Sequence, residues 1–520
     1  MSQELQVNYP DPGFWTETSL IQLVYGIWVN LSMMTIGLAY GFSAVTLPQL
    51  QLPDSTVKVS LADESWIASV LSLASLVGCL ICGYLIDKFG RRTMLIYSQL
   101  PVCLGWLLTG VASSAKYIIL GRVITGVGIG MVMCVPRVYM TEVSLPNMRG
   151  VIGSFPNIAI SIGITIQATL GSVLKWSTLC YVSSVFTLSL CLVYFRLPET
   201  PYYLLQKATI EDAKASLKKF RCKKYNIEAE MEELEDFKND NDIHKLCFKE
   251  QLMALLKRSS YKPFCLMTIY VIISQLSGSS VIFMWTVDIL ERSKSSVNAE
   301  VGNVALGITR IIISIITAVL IFHVGRRPLA IISGLGVGIV CISLSLLIKY
   351  EEQSTILPQI GYMIYIMFVT MGYYTLPPLI MYELYPLQVR GLLGGISISN
   401  LNLFIFCSNI CYPYVRDGLG FSNTILAFGV CSLAGCIFLY FCLPETKELT
   451  LQEIEEYYND RRSTLTSQRR LISMQVLSRS ATSSRSLDKV TTGRTKKGES
   501  RVTFHNGPSV KYVSKHNENK

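Results

Sequence analysis

The sequence predicts an all-α membrane protein: twelve transmembrane helices arranged as two six-helix pseudo-repeats. Three observations predict it. Half of the 520 residues are hydrophobic and only 16% are charged, with a mean hydropathy of +0.41, whereas a soluble domain carries about 25% charged residues. The apolar residues gather into twelve blocks near or above the roughly 20 residues that cross a bilayer. Three polar motifs then recur in the same order at nearly constant offset.

The blocks run over 20–45, 64–86, 94–113, 117–140, 151–174 and 177–197, then over 263–287, 300–323, 328–348, 357–382, 392–414 and 421–443. A soluble helical protein would need a polar face on most of them, and "IIISIITAVLIF" has none. The first block is too long for a cleavable signal and lacks a basic segment before it, so it is expected to stay as span 1. Lys and Arg in "DKFGRRT" (87–93), "NMRG" (147–150), "HVGRRP" (323–328) and "QVRG" (388–391) fall on one side of the count. Excess Lys and Arg mark the cytoplasmic side, which then also receives both termini. The expected organisation is a cytoplasmic N-terminus (1–19), a first bundle (20–197), a cytoplasmic linker with helices (198–262), a second bundle (263–443) and a basic tail (444–520). The tail's last sixty residues hold 14 Lys/Arg against 3 Asp/Glu. On a membrane protein this composition reads as a disordered segment able to lie on anionic lipid, not as a nucleic-acid site. Thirteen of fifteen cysteines lie in or beside apolar blocks, so no disulfide framework is expected.

The echoes define the repeat. "DKFGRRTML" returns as "HVGRRPLAI" 235 residues later, "YMTEVSLPNMRG" as "MYELYPLQVRG" after 241, and "LPET" at 197–200 as "LPET" at 443–446. Parallel six-helix repeats are a pattern of alternating-access carriers. The echoed charges sit at cytoplasmic helix ends and predict a cytoplasmic gate of Asp87, Arg91, Arg92, Glu142, Arg149, Glu199, Arg326, Arg327, Glu383, Arg390 and Glu445. In this reading Glu142 and Glu383 face the arginines across the seam, pairing when that side is shut and separating when it opens. The alternative is that these residues only set topology.

As an ordered set, GRR after spans 2 and 8, "PRVYMTEVS…RG" after span 4, "ELYP…VRG" after span 10, "QLSG" in span 7 and the two PET motifs resemble the sugar porters of the major facilitator superfamily. The resemblance covers about 20–457 and is strongest to the insect facilitated trehalose and hexose transporters. It implies the major facilitator fold, a central sugar site and cytoplasmic helices in the linker. "IEAEMEELEDF" suits such a helix, with charged faces and little hydrophobic stripe. The family's PET-x-R pattern is broken at the first copy, where Tyr202 or Tyr203 replaces arginine.

The same resemblance points to substrate-binding residues. In "SQLSGSSVIFMW" Gln275 is retained, Ser274 replaces a glutamine and Ser280 stands where the family has asparagine. Asn157 occupies a sugar-binding glutamine position in span 5. Two tryptophan positions become Pro378 and Asn402, leaving hydrogen-bonding groups with fewer aromatic platforms. Arg310 takes the place of a neutral asparagine. It lies 15 residues before Gly325, about 22 Å along a helix rising ~1.5 Å per residue, and so past the middle of a ~30 Å hydrocarbon core. It is expected in the cavity, with snorkelling to the outer interface and pairing with a carboxylate as alternatives. Arg122 matches a family arginine near the outer cavity and is expected to hold the bundle together.

Proton-coupled relatives carry an aspartate in span 1 where this chain has Ser43, so uniport is expected. The expected function is facilitated transport of a sugar or related polyol at the plasma membrane. A nutrient receptor, or a carrier of another polar or anionic solute with Arg310 as counter-charge, remain alternatives. With no nucleotide loop, metal-ligand cluster or nucleophile–base set, an enzyme is not expected, nor are a cofactor, a metal or a nucleic-acid partner. The expected partners are a small-molecule substrate and the lipid bilayer.

Overall fold

The structure is a computed structural model. It describes residues 16–222 apart from 54, 56, 146 and 147; 227–235 apart from 229 and 233; 253; 255–446 apart from 351–354 and 386–388; and 458. The side chains of 149, 322, 382, 390 and 391 are outside that description.

Among the described residues, eleven helices are long and apolar enough to cross a membrane. Span 1 is Glu17–Gln51, span 2 Leu61–Phe89, span 3 Arg91–Gly110, span 4 Ala115–Val143, span 5 Phe155–Gly171 and span 6 Trp176–Tyr194. In the second half, span 8 is Ala299–His323, span 9 Arg326–Tyr350, span 11 Arg390–Leu419 and span 12 Phe421–Cys442. The two remaining spans are interrupted. Span 7 consists of Arg258–Leu276, Val281–Met284 and Thr286–Arg292. Span 10 runs Leu357–Val369, passes through a π-helical turn at Thr370–Tyr374 and resumes at Leu376–Leu384. The sequence blocks therefore locate all twelve spans, while the breaks in spans 7 and 10 emerge only in the structure.

Local chemistry sets several ends. Ser60 and Asp63 form a reciprocal capping box at the start of span 2, satisfying donors the helix itself leaves unpaired. In the first half, small residues bring backbones together. A Cβ on Gly37 of span 1 would meet the Ile160 carbonyl oxygen of span 5 at 2.2 Å, and one on Gly78 of span 2 would meet the Val127 carbonyl oxygen of span 4 at 2.1 Å. In a bilayer, where burial of apolar surface gives no net drive between helices, such close packing is what holds the bundle.

The linker begins with helices Pro201–Lys207 and Ile210–Phe220. Arg221 ties it to the bundle, donating to the Val143 carbonyl at 3.1 Å while pairing with Glu230 at 2.5 Å. The expectation of a charged helix with little apolar stripe needs correcting here: Ile227, Met231 and Leu234, at helical spacing, pack with Leu205, Ala213 and Leu217. The halves meet where span 2 lies along span 11, span 5 along span 8 and span 1 against the short helices of span 7. A Ser161–Ser314 hydroxyl pair at 2.9 Å joins spans 5 and 8.

Candidate functional site: a central cavity and two repeated clamps

The repeated motifs assemble into two matching clamps. After span 2 the chain turns at Gly90 (φ 92°), and after span 8 at Gly325 (φ 95°). Both lie in the left-handed region that favours glycine. Room matters as well, since a Cβ would stand 2.6 Å from Glu199 Oε2 at the first turn and 2.8 Å from Glu445 Oε2 at the second. Those carboxylates belong to the two LPET motifs. Glu199 accepts from the backbone N–H groups of Arg91 (2.9 Å) and Arg92 (3.0 Å), and Glu445 from those of Arg326 and Arg327, each at 3.0 Å. Each caps the positive end of the next helix, where free N–H groups and the helix dipole favour an anion.

The arginine and threonine complete the clamp. Arg91 Nη2 donates to Glu142 Oε1 at 2.7 Å, and Thr200 Oγ1 donates to Glu142 Oε2 at 2.6 Å. Arg326 Nη2 donates to Glu383 Oε1 at 2.9 Å, and Thr446 Oγ1 to Glu383 Oε2 at 2.5 Å. Arg92 and Arg327 donate to the carbonyls of Phe195 and Tyr440 at the ends of spans 6 and 12. Asp87 reaches Arg91 at 3.3 Å but is largely exposed, so water screens it. Where arginine was expected after the first PET, the Tyr203 ring lies 5.4 Å from the Arg91 guanidinium. The pairing across the seam expected of Glu142 and Glu383 is corrected: both pair inside their own half, because LPET returns the chain beside the GRR turn of the same repeat. The side chains of Arg149 and Arg390 lie outside the described residues.

A cavity lies between the halves. Of the expected substrate residues, Asn157, Gln275 and Ser280 line it. The break in span 7 organises them. Ser280 donates to Gln275 Oε1 at 2.6 Å and accepts from Asn409 Nδ2 of span 11 at 3.1 Å. That relay engages the Gln275 amide oxygen on the cavity wall. Ser274 and Asn402 are not on the wall. Ser274 donates to the Tyr373 carbonyl at 3.2 Å. Asn402 is wholly buried on the seam, donating to the Ile398 carbonyl at 3.0 Å and facing Met133 Sδ at 3.5 Å. The wall also carries Tyr40, Arg137, Ser279, Phe283, Tyr373, Tyr374 and Pro378. Phe283 and Tyr374 meet edge to face at 5.5 Å, supplying the aromatic surface that the two lost tryptophans would have given. Arg137 is detectable in sequence as an ionisable residue inside the fourth apolar block; the aromatic pair is not, because neighbouring elements bring it together.

Two buried arginines behave differently. Arg122 donates to the Ile67 carbonyl (3.2 Å), the Ala39 carbonyl (2.7 Å) and Ser43 Oγ (2.6 Å). Arg310 is 2% exposed, and its Nε and Nη1 have no acceptor among the described residues. It does not line the cavity; its guanidinium lies 3.7 Å from the centre of the Phe283 ring. Phe283 does line it, so Arg310 stands one ring behind the wall. A desolvated cation–π contact contributes about 2 kcal/mol. Even mild insertion scales charge about 2.5–3.5 kcal/mol for a central arginine, and each unsatisfied buried donor adds about 1–3 kcal/mol. The contact with Phe283 alone does not balance that cost.

A twelve-helix bundle of two repeats, with a mostly apolar cavity bearing a few polar groups on the seam and matched clamps at one end of each repeat, is the build of a membrane carrier. The family described as "Sugar (and other) transporter" matches residues 18–458, and the chain belongs to it. The chain is 28% identical to the "Facilitated trehalose transporter Tret1" of Bombyx mori over 442 residues, covering 84% of this chain and 86% of that one. It is 26% identical to the protein of the same name from Polypedilum vanderplanki, covering 84% and 87%. Among solved structures it is similar to an inward-open conformation of the xylose transporter XylE from E. coli, with a TM-score of 0.69, 17% identity and 84% and 99% coverage. It is also similar to the proton:xylose symporter XylE bound to 6-bromo-6-deoxy-D-glucose, with a TM-score of 0.67, 17% identity and 84% and 100% coverage. At that identity the likeness shows the fold alone.

Proposed function

We propose that the protein is a facilitative carrier of sugars such as trehalose or hexoses, working by alternating access in the plasma membrane with both termini cytoplasmic. The observation that carries this reading is the seam cavity, whose wall holds Gln275, bonded to the Ser280–Asn409 relay, together with Asn157 and the Phe283–Tyr374 rings. Such a site offers a few fixed polar groups on a mostly apolar wall. The names of the insect relatives agree with it. Uniport is supported by Ser43: the span 1 group that Arg122 holds is a hydroxyl, which neither binds nor releases a proton near neutral pH. The clamps are proposed to keep each half rigid at its cytoplasmic end, so that the halves rock as bodies about the cavity.

The test is radiotracer uptake in oocytes across a panel of sugars and polyols. Saturable flux whose initial rate survives collapse of the proton gradient is the expected result. A substrate-evoked inward current that grows as external pH falls overturns uniport, and the absence of flux for any solute overturns the carrier reading.

A further inference from the structure

We propose that the central site takes a polyhydroxy solute bearing one negative charge, of the sugar-acid class, with Arg137 as its direct counter-charge and Arg310 as a second cation behind Phe283. The proposal rests on the carrier reading above and shifts its preferred solute from a neutral sugar to an acidic one.

Charge balance carries it. Arg137 lines the cavity, and no Asp or Glu among the described residues does. Of the buried and half-buried carboxylates, Glu142 is held by Arg91 and Thr200, Glu383 by Arg326 and Thr446, and Asp288 by Arg416 and Arg292. Glu64, 6% exposed, lies near Asp288 and Arg416 and is not on the cavity wall. Glu142, on the same helix as Arg137, faces away into its clamp. Among the described residues no hydrogen bond or ion pair engages Arg137, and Arg310 has two buried donors without an acceptor. Tyr374, on the wall, lies within electrostatic range of both guanidinium groups. Arg122 shows the contrast: with three neutral acceptors, it needs no ligand.

The chemistry of the wall then selects the solute. A guanidinium binds a planar carboxylate through two parallel N–H donors. Gln275, Ser280 and Asn157 suit hydroxyl groups, and Phe283 and Tyr374 suit the C–H face of a ring. Arg310, one ring away in a region of low dielectric, reinforces the positive potential without touching the solute. One direct cation matches a monoanion better than a phosphate dianion. Transport of a monoanion without a proton moves charge. A membrane negative inside therefore biases the solute outward, about tenfold for each ~60 mV.

The test is two-electrode voltage clamp of oocytes with D-glucuronate, D-glucose, trehalose and glucose 6-phosphate, combined with tracer uptake and surface quantification. The expected result is an outward current evoked by external glucuronate, insensitive to pH around neutrality, with weaker, currentless flux of glucose. Arg137→Gln should reduce glucuronate flux about 10- to 100-fold, as expected for losing a hydrogen bond to a charged group. Arg137→Lys should retain part of it, and Arg310→Asn should lower it a few-fold while raising the glucose share. If Arg137→Gln fails to reach the surface, thermal melting of the purified wild-type protein should show greater stabilisation by glucuronate than by glucose at equal concentration. Currentless glucose or trehalose flux, with glucuronate neither moving nor competing, overturns this proposal and leaves the carrier reading standing. No flux of either class overturns the carrier reading itself. Preference for glucose 6-phosphate overturns the monoanion class, and an undiminished glucuronate current in Arg137→Gln at equal surface amount overturns the role of Arg137.

Discussion

Arg122 and Arg310 are both buried guanidinium groups, and the difference between them is the number of acceptors within reach. Arg122 meets two backbone carbonyls and Ser43; Arg310 meets the face of Phe283. The short Arg122–Ser43 contact makes a sharp prediction. Ser43→Asp places a titratable carboxylate beside the guanidinium, creating in span 1 the proton site that the wild type lacks. Initial uptake by Ser43→Asp should become dependent on external pH while wild-type uptake stays flat, as read by tracer flux across neutral and mildly acid buffers. The turn glycines make a second. Gly90→Ala or Gly325→Ala forces a Cβ against a capping carboxylate at positive φ, at a cost of about 1–3 kcal/mol. Each should lower the melting temperature of the detergent-purified protein.

Within one half, the clamp joins the GRR turn, the end of span 4 or 10, and the return segment after span 6 or 12. Its geometry explains the repeated LPET: the glutamate caps one helix while the threonine orients the glutamate of another. Glu142→Gln keeps the volume but leaves Arg91 buried beside a neutral amide, and should destabilise the first half by about 1–3 kcal/mol. Glu383→Gln should do the same in the second half. Melting curves and cysteine accessibility from the cytoplasmic side check this. Looser clamps should give earlier melting and raised accessibility in both variants, whereas residues that serve topology alone would change neither. In span 7 the break lets Ser280 reach Gln275 and Asn409. Ser280→Ala removes the middle of that relay, so it should raise KM for the transported solute severalfold, with surface expression maintained, as measured by concentration-dependent uptake.

Among the described residues, contact across the seam comes from packed helices, the Ser161–Ser314 pair and Asn402 against Met133, and the Glu142 and Glu383 carboxylates pair within their own halves. Each half can then tilt without breaking its own ion pairs, as a rocking mechanism requires. The basic segment 461–520 follows the family match, which ends at 458. If the protein works as a carrier, deleting 461–520 should leave the initial rate per surface molecule unchanged. A protein that signals through this segment should instead show no flux with or without it, and lose its downstream response on deletion.

The twelve spans, the two repeats and the family were legible in the sequence, because they rest on hydropathy and on motif order, which need no knowledge of what packs against what. Asn157, Gln275 and Ser280 were picked out through the family resemblance, and the structure places them on the cavity wall. Ser274 and Asn402 have the same polarity, yet one is taken up by the Tyr373 carbonyl and the other by the seam; rotation of a helix about its axis decides that, and polarity does not. The direction of the clamps was also beyond the sequence. Matched charges at helix ends are equally compatible with pairing within a half or across the seam, and only the return of each LPET beside its own GRR turn chose the first. Arg310 was legible as a mid-membrane charge, but its place one ring behind the wall, and Arg137 on the wall itself, were decided by how span 7 breaks and span 10 unwinds. Those interruptions follow from packing and hydrogen bonding among spans distant in the chain, so they belong to the tertiary structure alone.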